Sequence, residues 1–212
     1  MTATKVLPRK QKLYRIDQLS PEVKAETIKR YRDSDAKYPF DADSITEMFQ
    51  NDLSEHYGLT NCEVFWILSC CQGDGVAFTG NPDIYHWVEH DEHLAMLYLK
   101  LSVYCRLLNQ DDPQLSINIV STSHRYSHYN TMRLEVTNCA SWDEGEHDGQ
   151  ELYQMQVDIE EYLQERIKDI SKEMQKSGYD KINDMDSDEY LEQEIEAREY
   201  RFTANGHRYK RK

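Results

Sequence analysis

Three short stretches of the chain gather side chains that could do chemistry. In Gln72-Gly73-Asp74-Gly75, two glycines would let backbone N–H groups approach a ligand closely and form an anion-holding nest, so a phosphate or nucleotide could sit there. The run lacks the G-K-[ST] ending of a Walker loop and the third glycine of a dinucleotide fingerprint. The same residues also suit a plain hairpin turn, with glycines at positive φ and Asp74 making an Asx-type hydrogen bond. In residues 123–130, His124, Arg125, Tyr126, His128 and Tyr129 collect imidazole, guanidinium and phenol groups in one loop. Such groups recognise protein partners or phosphorylated small molecules, although a polar hairpin could carry them as decoration. The third stretch holds His86, His90 and His93 beside Glu89 and Asp91. On a helix, His86 and His90 would share a face at the i, i+4 spacing zinc uses. The order H-W-V-E-H departs from H-E-x-x-H, however, and moves the glutamate off the place a general base needs. There is no G-x-S-x-G elbow and no cysteine in an evidently electropositive setting. No catalytic residue and no cofactor is therefore assigned.

Charge singles out a fourth region. The net charge is −14. Residues 141–199 hold 20 acidic and 6 basic side chains, the first 140 hold 19 and 14, and the last 13 hold 5 basic and no acidic ones. Such a field repels duplex nucleic acid and anionic membranes and attracts basic protein surfaces. Asp184, Asp186, Asp188, Glu189, Glu192 and Glu196 are the candidates for contacting a partner. A solubilising coat is the alternative reading of the same residues.

The elements that must position these groups follow from periodicity and punctuation. Ser20-Pro21-Glu22 starts a helix that should reach about Asp33. Ile45, Met48, Phe49, Leu53 and Tyr57 mark a second helix, ended by Gly58. Residues 62–71 (CEVFWILSCC) are nearly all apolar and predict a central strand, paired through the Gly73–Gly75 turn with a strand over 76–79. Leu94, Leu97, Tyr98, Leu101, Cys105 and Leu108 form one stripe of a helix fronted by Asp91 and Glu92. Alternation predicts two further strands, Leu115-to-Ile119 and Met132-to-Val136, and a loop over 140–149. A long helix then runs from about Gln150 to Lys176, closed by Gly178, followed by a shorter one after Ser187 and a small hairpin through Asn205-Gly206.

The expected fold is α+β: an antiparallel sheet packed against helices, with a long C-terminal helix. A chain of 212 residues is the size of one domain. Here that domain would comprise a sheet-and-helix core (1–140), an acidic helical segment (141–199) and a basic terminal hairpin or tail (200–212). Five cysteines, an odd number lying largely in apolar runs, fit a reducing compartment. Neither an h-region nor a run of some 20 apolar residues is present, so a cytoplasmic protein is expected.

Four segments together resemble a known group. These are LSPEVKAETIKRYR (19–32), SCCQGDGVAFTG (69–80), SHRYSHYNTMRLEV (123–136) and YRFTANGHRY (200–209). Their order and content are similar to those of small bacteriophage and prophage accessory proteins, generally of unassigned function. That group usually carries a serine-glutamine-glycine-aspartate-glycine-alanine-serine-phenylalanine type of run. Here Cys71 precedes Gln72, and Val76-Ala77-Phe78 follow Gly75. The resemblance implies a non-enzymatic accessory protein in the cytoplasm of an infected or lysogenic bacterium, and it carries no catalytic residues across.

Three functions are thereby set against each other. The first is a protein that binds and inhibits or redirects a host component, a host defence protein among the candidates, by docking its acidic surface on a basic one. The second captures a nucleotide or cyclic nucleotide between the Gln72-to-Gly75 turn and the His124-to-Tyr129 loop. The third is a metal-dependent hydrolase built on His86, His90 or His93. A homo-oligomer is compatible with each; no membrane or duplex nucleic-acid partner is expected.

Overall fold

The computed structural model describes residues 12–33, 42–69, 73–123, 125–138 and 147–209. The described elements are α1 (Pro21–Asp33), α2 (Ala42–Asn51), β1 (Cys62–Ile67), β2 (Gly75–Gly80), α3 (Ile84–His90), α4 (Glu92–Leu107), β3 (Leu115–Ser121), β4 (Met132–Asn138), α5 (His147–Met185) and α6 (Asp188–Ala197). The class is α+β, with one antiparallel sheet in the order β1-β2-β3-β4 and a C-terminal helix of 39 residues. No helix among the described residues is long and apolar enough to cross a membrane.

The contacts group the chain into two compact units, one of residues 1–41 with 180–212 and the other of residues 42–179. In the first, Ile16, Ile28, Leu191, Ile195 and Phe202 form a buried cluster between α1, α6 and the terminal hairpin. That hairpin forms as expected: Phe202 bridges Arg208, Thr203 N–H donates to the His207 carbonyl at 2.9 Å, and Gly206 takes φ +73° at the turn.

In the second unit, alternation along the strands sorts residues between two faces. Val64, Val76, Phe78, Ile117, Ile119, Leu134 and Val136 are buried on one face. Helices pack there. Phe49 of α2 meets Trp66 edge-on, Trp66 Nε1–H donates to Thr46 Oγ1 at 2.9 Å, and Gln164 of α5 accepts from Leu134 N–H at 2.9 Å. Ile159, Leu163, Ile167, Ile170 and Met174 place the buried stripe of α5. Asp91, the N-cap of α4, accepts from Leu94 N–H at 3.0 Å and from the Tyr162 hydroxyl at 2.7 Å, and it pairs with Arg166 at 3.2 Å.

The structure corrects two sequence expectations. The apolar run 62–71 predicts a central strand, but β1 stops at Ile67 and lies at the edge of the described sheet. Its apolarity has a different cause, since Phe65 and Ile67, both 41% exposed, face away from the helices. Gly178 does not end α5, which continues to Met185. A Cβ there would stand 2.5 Å from Leu68 Cδ1 and 2.6 Å from Phe49 Cζ, so the glycine lets the helix pass closely over α2 and the end of β1.

Candidate ligand-binding cleft

The centre of the sheet is not a regular ladder. β1 pairs with β2 over six residues and β3 with β4 over seven, whereas β2 and β3 share one register pair, Gly80 with Ile119. β2 ends at Gly80 and β3 at Ser121, so in this antiparallel register the two strands overlap over only a few residues, and side chains bond backbone groups of β2. Phe78 N–H donates to Met132 Sδ at 3.2 Å, and the buried Ser171 hydroxyl of α5 donates to the Val76 carbonyl. This satisfies buried polar groups that an absent ladder would otherwise orphan.

On the opposite face, the segment between β3 and β4 folds down onto the glycine turn. A Cβ on Gly75 would lie 2.5 Å from His128 Cβ and 2.7 Å from the Ser127 carbonyl oxygen, and one on Gly73 would lie 2.6 Å from the Tyr126 ring. Two of the segments singled out in the sequence are thus pressed together, and only glycine allows the approach. Phe65, Ile67, Ala77, Thr79, Ser121, Ser123, Arg125, Tyr126 and Ser127 line the resulting cleft of about 400 Å³. That size falls within the range of small-molecule sites. Among the described residues, no helix covers this face.

The cleft has an apolar floor and wall (Ala77, Phe65, Ile67), an exposed phenol in Tyr126, four hydroxyls and one exposed guanidinium, Arg125. Its loop is prefolded. Ser123 Oγ accepts from the N–H groups of Arg125 and Tyr126, each at 3.2 Å, and the Ser121 hydroxyl donates to the Ser123 carbonyl at 2.7 Å. The backbone N–H groups of 125 and 126 and the Ser121 hydroxyl proton are therefore already engaged, and the other hydroxyls, the rings and Arg125 are left to contact a ligand.

The other expected groups have different surroundings. Asp74 accepts from Ser69 N–H at 2.6 Å, from the Ser69 hydroxyl at 2.9 Å and from the Tyr179 hydroxyl at 2.6 Å, which ties the turn to α5. His128 Nδ1 accepts from Asn130 N–H at 3.2 Å and caps a short 3-10 turn; Tyr129 turns its ring toward Lys172 of α5, 5.2 Å away. Gln72 and His124 lie outside the described residues. Phe65, Ile67, Ala77, Thr79, Ser121, Ser123 and Ser127 join the cleft without having been singled out. The one signal, and for Phe65 and Ile67 alone, was the apolarity of residues 62–67, interrupted at Glu63 only, where an edge strand would ordinarily alternate.

His86 and His90 do share a helical face, with ring centroids 4.7 Å apart, but His90 Nδ1 lies 2.9 Å from the His86 carbonyl oxygen. His93 sits beyond the break at Asp91 and packs on Tyr162. Among the described residues, no group of three or more His, Cys, Asp or Glu side chains could hold a metal ion. Of the acidic candidates, Glu192 pairs with Lys24, and Asp186 and Asp188 pair with Arg32, all within the first unit. Asp184, Glu189 and Glu196 are exposed.

Neither the curated proteins nor the solved structures give a match to the chain. The family model described as "Domain of unknown function (DUF8835)" matches residues 34–188, a span that takes in the whole of the second unit. That match extends over well more than half of the sequence, and the chain belongs to this family.

Proposed function

We propose that the protein captures a small anionic ligand with a planar, partly apolar body, a nucleotide or cyclic nucleotide above all, in the cleft beneath Tyr126, and does so without turning it over. One observation carries this reading: two segments some fifty residues apart meet through Gly73 and Gly75 to build a single preformed cleft. Phe65 and Tyr126 offer aromatic surface, the hydroxyls of Thr79, Ser123 and Ser127 offer hydrogen bonds, and Arg125 matches an anion. Among the described residues that line the cleft, no nucleophile is paired with a base, which favours binding over chemistry. The test is thermal shift with a panel of nucleotides and cyclic nucleotides. A ligand at a hundred times its Kd should add about 2.7 kcal/mol of stability, and Arg125→Ala and Phe65→Ala should abolish that gain. If no ligand raises the melting temperature, or if both variants keep the shift, the reading is wrong.

A second reading keeps the acidic surface as a dock for a basic host protein, in line with the resemblance to phage accessory proteins. The exposure of Asp184, Glu189 and Glu196 supports it. The pairing of Glu192, Asp186 and Asp188 with α1 makes that surface smaller than the sequence suggests. A salt-sensitive partner lost on reversing Asp184, Glu189 and Glu196 together would favour it over ligand capture.

A further inference from the structure

Helix α4 is apolar on two sides. Leu94, Leu101 and Cys105 are buried in the unit, while Met96, Leu99, Val103 and Leu107 stand 46 to 73% exposed along the opposite side. Their spacing of three, four and four residues is a continuous helical stripe. Together with Lys100, Tyr104 and Met155 of α5 they line a groove of about 410 Å³. A helix apolar all round is ordinarily buried all round. Four large exposed apolar side chains on one stripe also make a contiguous patch, and such patches mark interaction surfaces. Among the described residues, nothing covers it.

We infer that this face binds a second copy of the chain, α4 against α4 in antiparallel about a two-fold axis. The stripe is its own complement. Reversed end for end, Met96 meets the second copy's Leu107 and Leu99 meets its Val103, as an isologous interface requires. Charge fits the same alignment. Lys100 lies on the edge of the stripe that also carries Tyr104, whose hydroxyl donates to Glu151 of α5. The two-fold operation sets Lys100 of each copy beside the Tyr104–Glu151 pair of the other, so two symmetric ion pairs run along one edge of the apolar centre. Antiparallel packing also opposes the two helix dipoles favourably. The patch supplies only part of the ~800 Å² per partner of a standard interface, so association in the micromolar range is expected.

Sedimentation equilibrium of the full chain over a wide concentration range tests this. A reversible dimer is expected. Leu99→Glu should weaken it about a hundredfold or more, with the circular dichroism and the melting temperature of the dilute protein unchanged, because the side chain is exposed in the monomer. Lys100→Glu alone should weaken the dimer, and Lys100→Glu combined with Glu151→Lys should restore it. A monomer at every concentration, or a dimer indifferent to Leu99→Glu, overturns the inference. A charge swap that fails to restore association overturns the antiparallel alignment.

Discussion

The Tyr179 hydroxyl donates to Asp74 Oδ2 at 2.6 Å, fastening the glycine turn between β1 and β2 to the long helix. Because Asp74 also holds Ser69 through its backbone N–H and its hydroxyl, the carboxylate is a structural hub beneath the cleft. Asp74→Ala is expected to cost about 1–3 kcal/mol, the penalty of leaving such donors unpaired, as read by urea denaturation. Tyr179→Phe should cost less, since it removes one of the three bonds. A neutral result for Asp74→Ala would deny the hub.

Gly75→Ala should separate the turn from the loop. Its Cβ would meet the Ser127 carbonyl oxygen and His128 Cα, each at 2.7 Å, and backbone atoms cannot swing aside as a side-chain end can. A loss of about 1–3 kcal/mol is expected, together with loss of any nucleotide-induced thermal shift. Gly73→Ala meets the Tyr126 ring and carries φ +99°, so it too should destabilise, through backbone strain and a displaced ring.

Gly178→Ala sets helix propensity against packing. An alanine in mid-helix is worth about 1 kcal/mol over glycine, but here its Cβ would stand 2.5 Å from Leu68 and 2.6 Å from Phe49, which is wholly buried. The overlap should win and lower the melting temperature. A rise would show that α5 does not pass this closely over Phe49.

Asp91 gives the acid limb of the stability curve. Burial opposes ionisation, but the Leu94 N–H, the Tyr162 hydroxyl and the Arg166 guanidinium outweigh it and hold the carboxyl below its ordinary range. With the folded pKa below the unfolded one, the stabilisation is complete above about pH 4 and fades as the pH falls through the folded value. Asp91→Ala should cost about 2 kcal/mol near neutrality, from the lost cap and the unpaired partners. It should also flatten the acid limb in pH-dependent urea melts.

The ion pairs between α1 and the acidic helix are exposed enough to contribute little each. Asp188→Lys and Glu192→Lys should each lower stability by less than about 1 kcal/mol, and less again in high salt. A larger, salt-insensitive loss would contradict this reading of the pairs.

Local patterning determined much by itself. The helical stripes of α2, α4 and α5, the alternation of β3 and β4, and the Asn205-Gly206 turn are all legible because burial imposes periods of 3.6 and 2 on the residues that take part. The tertiary structure decided matters that have no period. Residues 62–67 read as doubly buried, yet Phe65 and Ile67 face a cleft, and apolarity alone cannot tell a protein neighbour from a ligand wall. Gly178 reads as a helix end and proves to be a contact with Phe49, since glycine serves both conformational freedom and close approach. Tyr126 comes to lie against Gly73, and Ser127 and His128 against Gly75, because β3 ends at Ser121 and the segment after it folds back onto the glycine turn. Beside it, Met132 and Ser171 bond the backbone of β2 at Phe78 and Val76, contacts that come from residues 54 and 95 positions away along the chain.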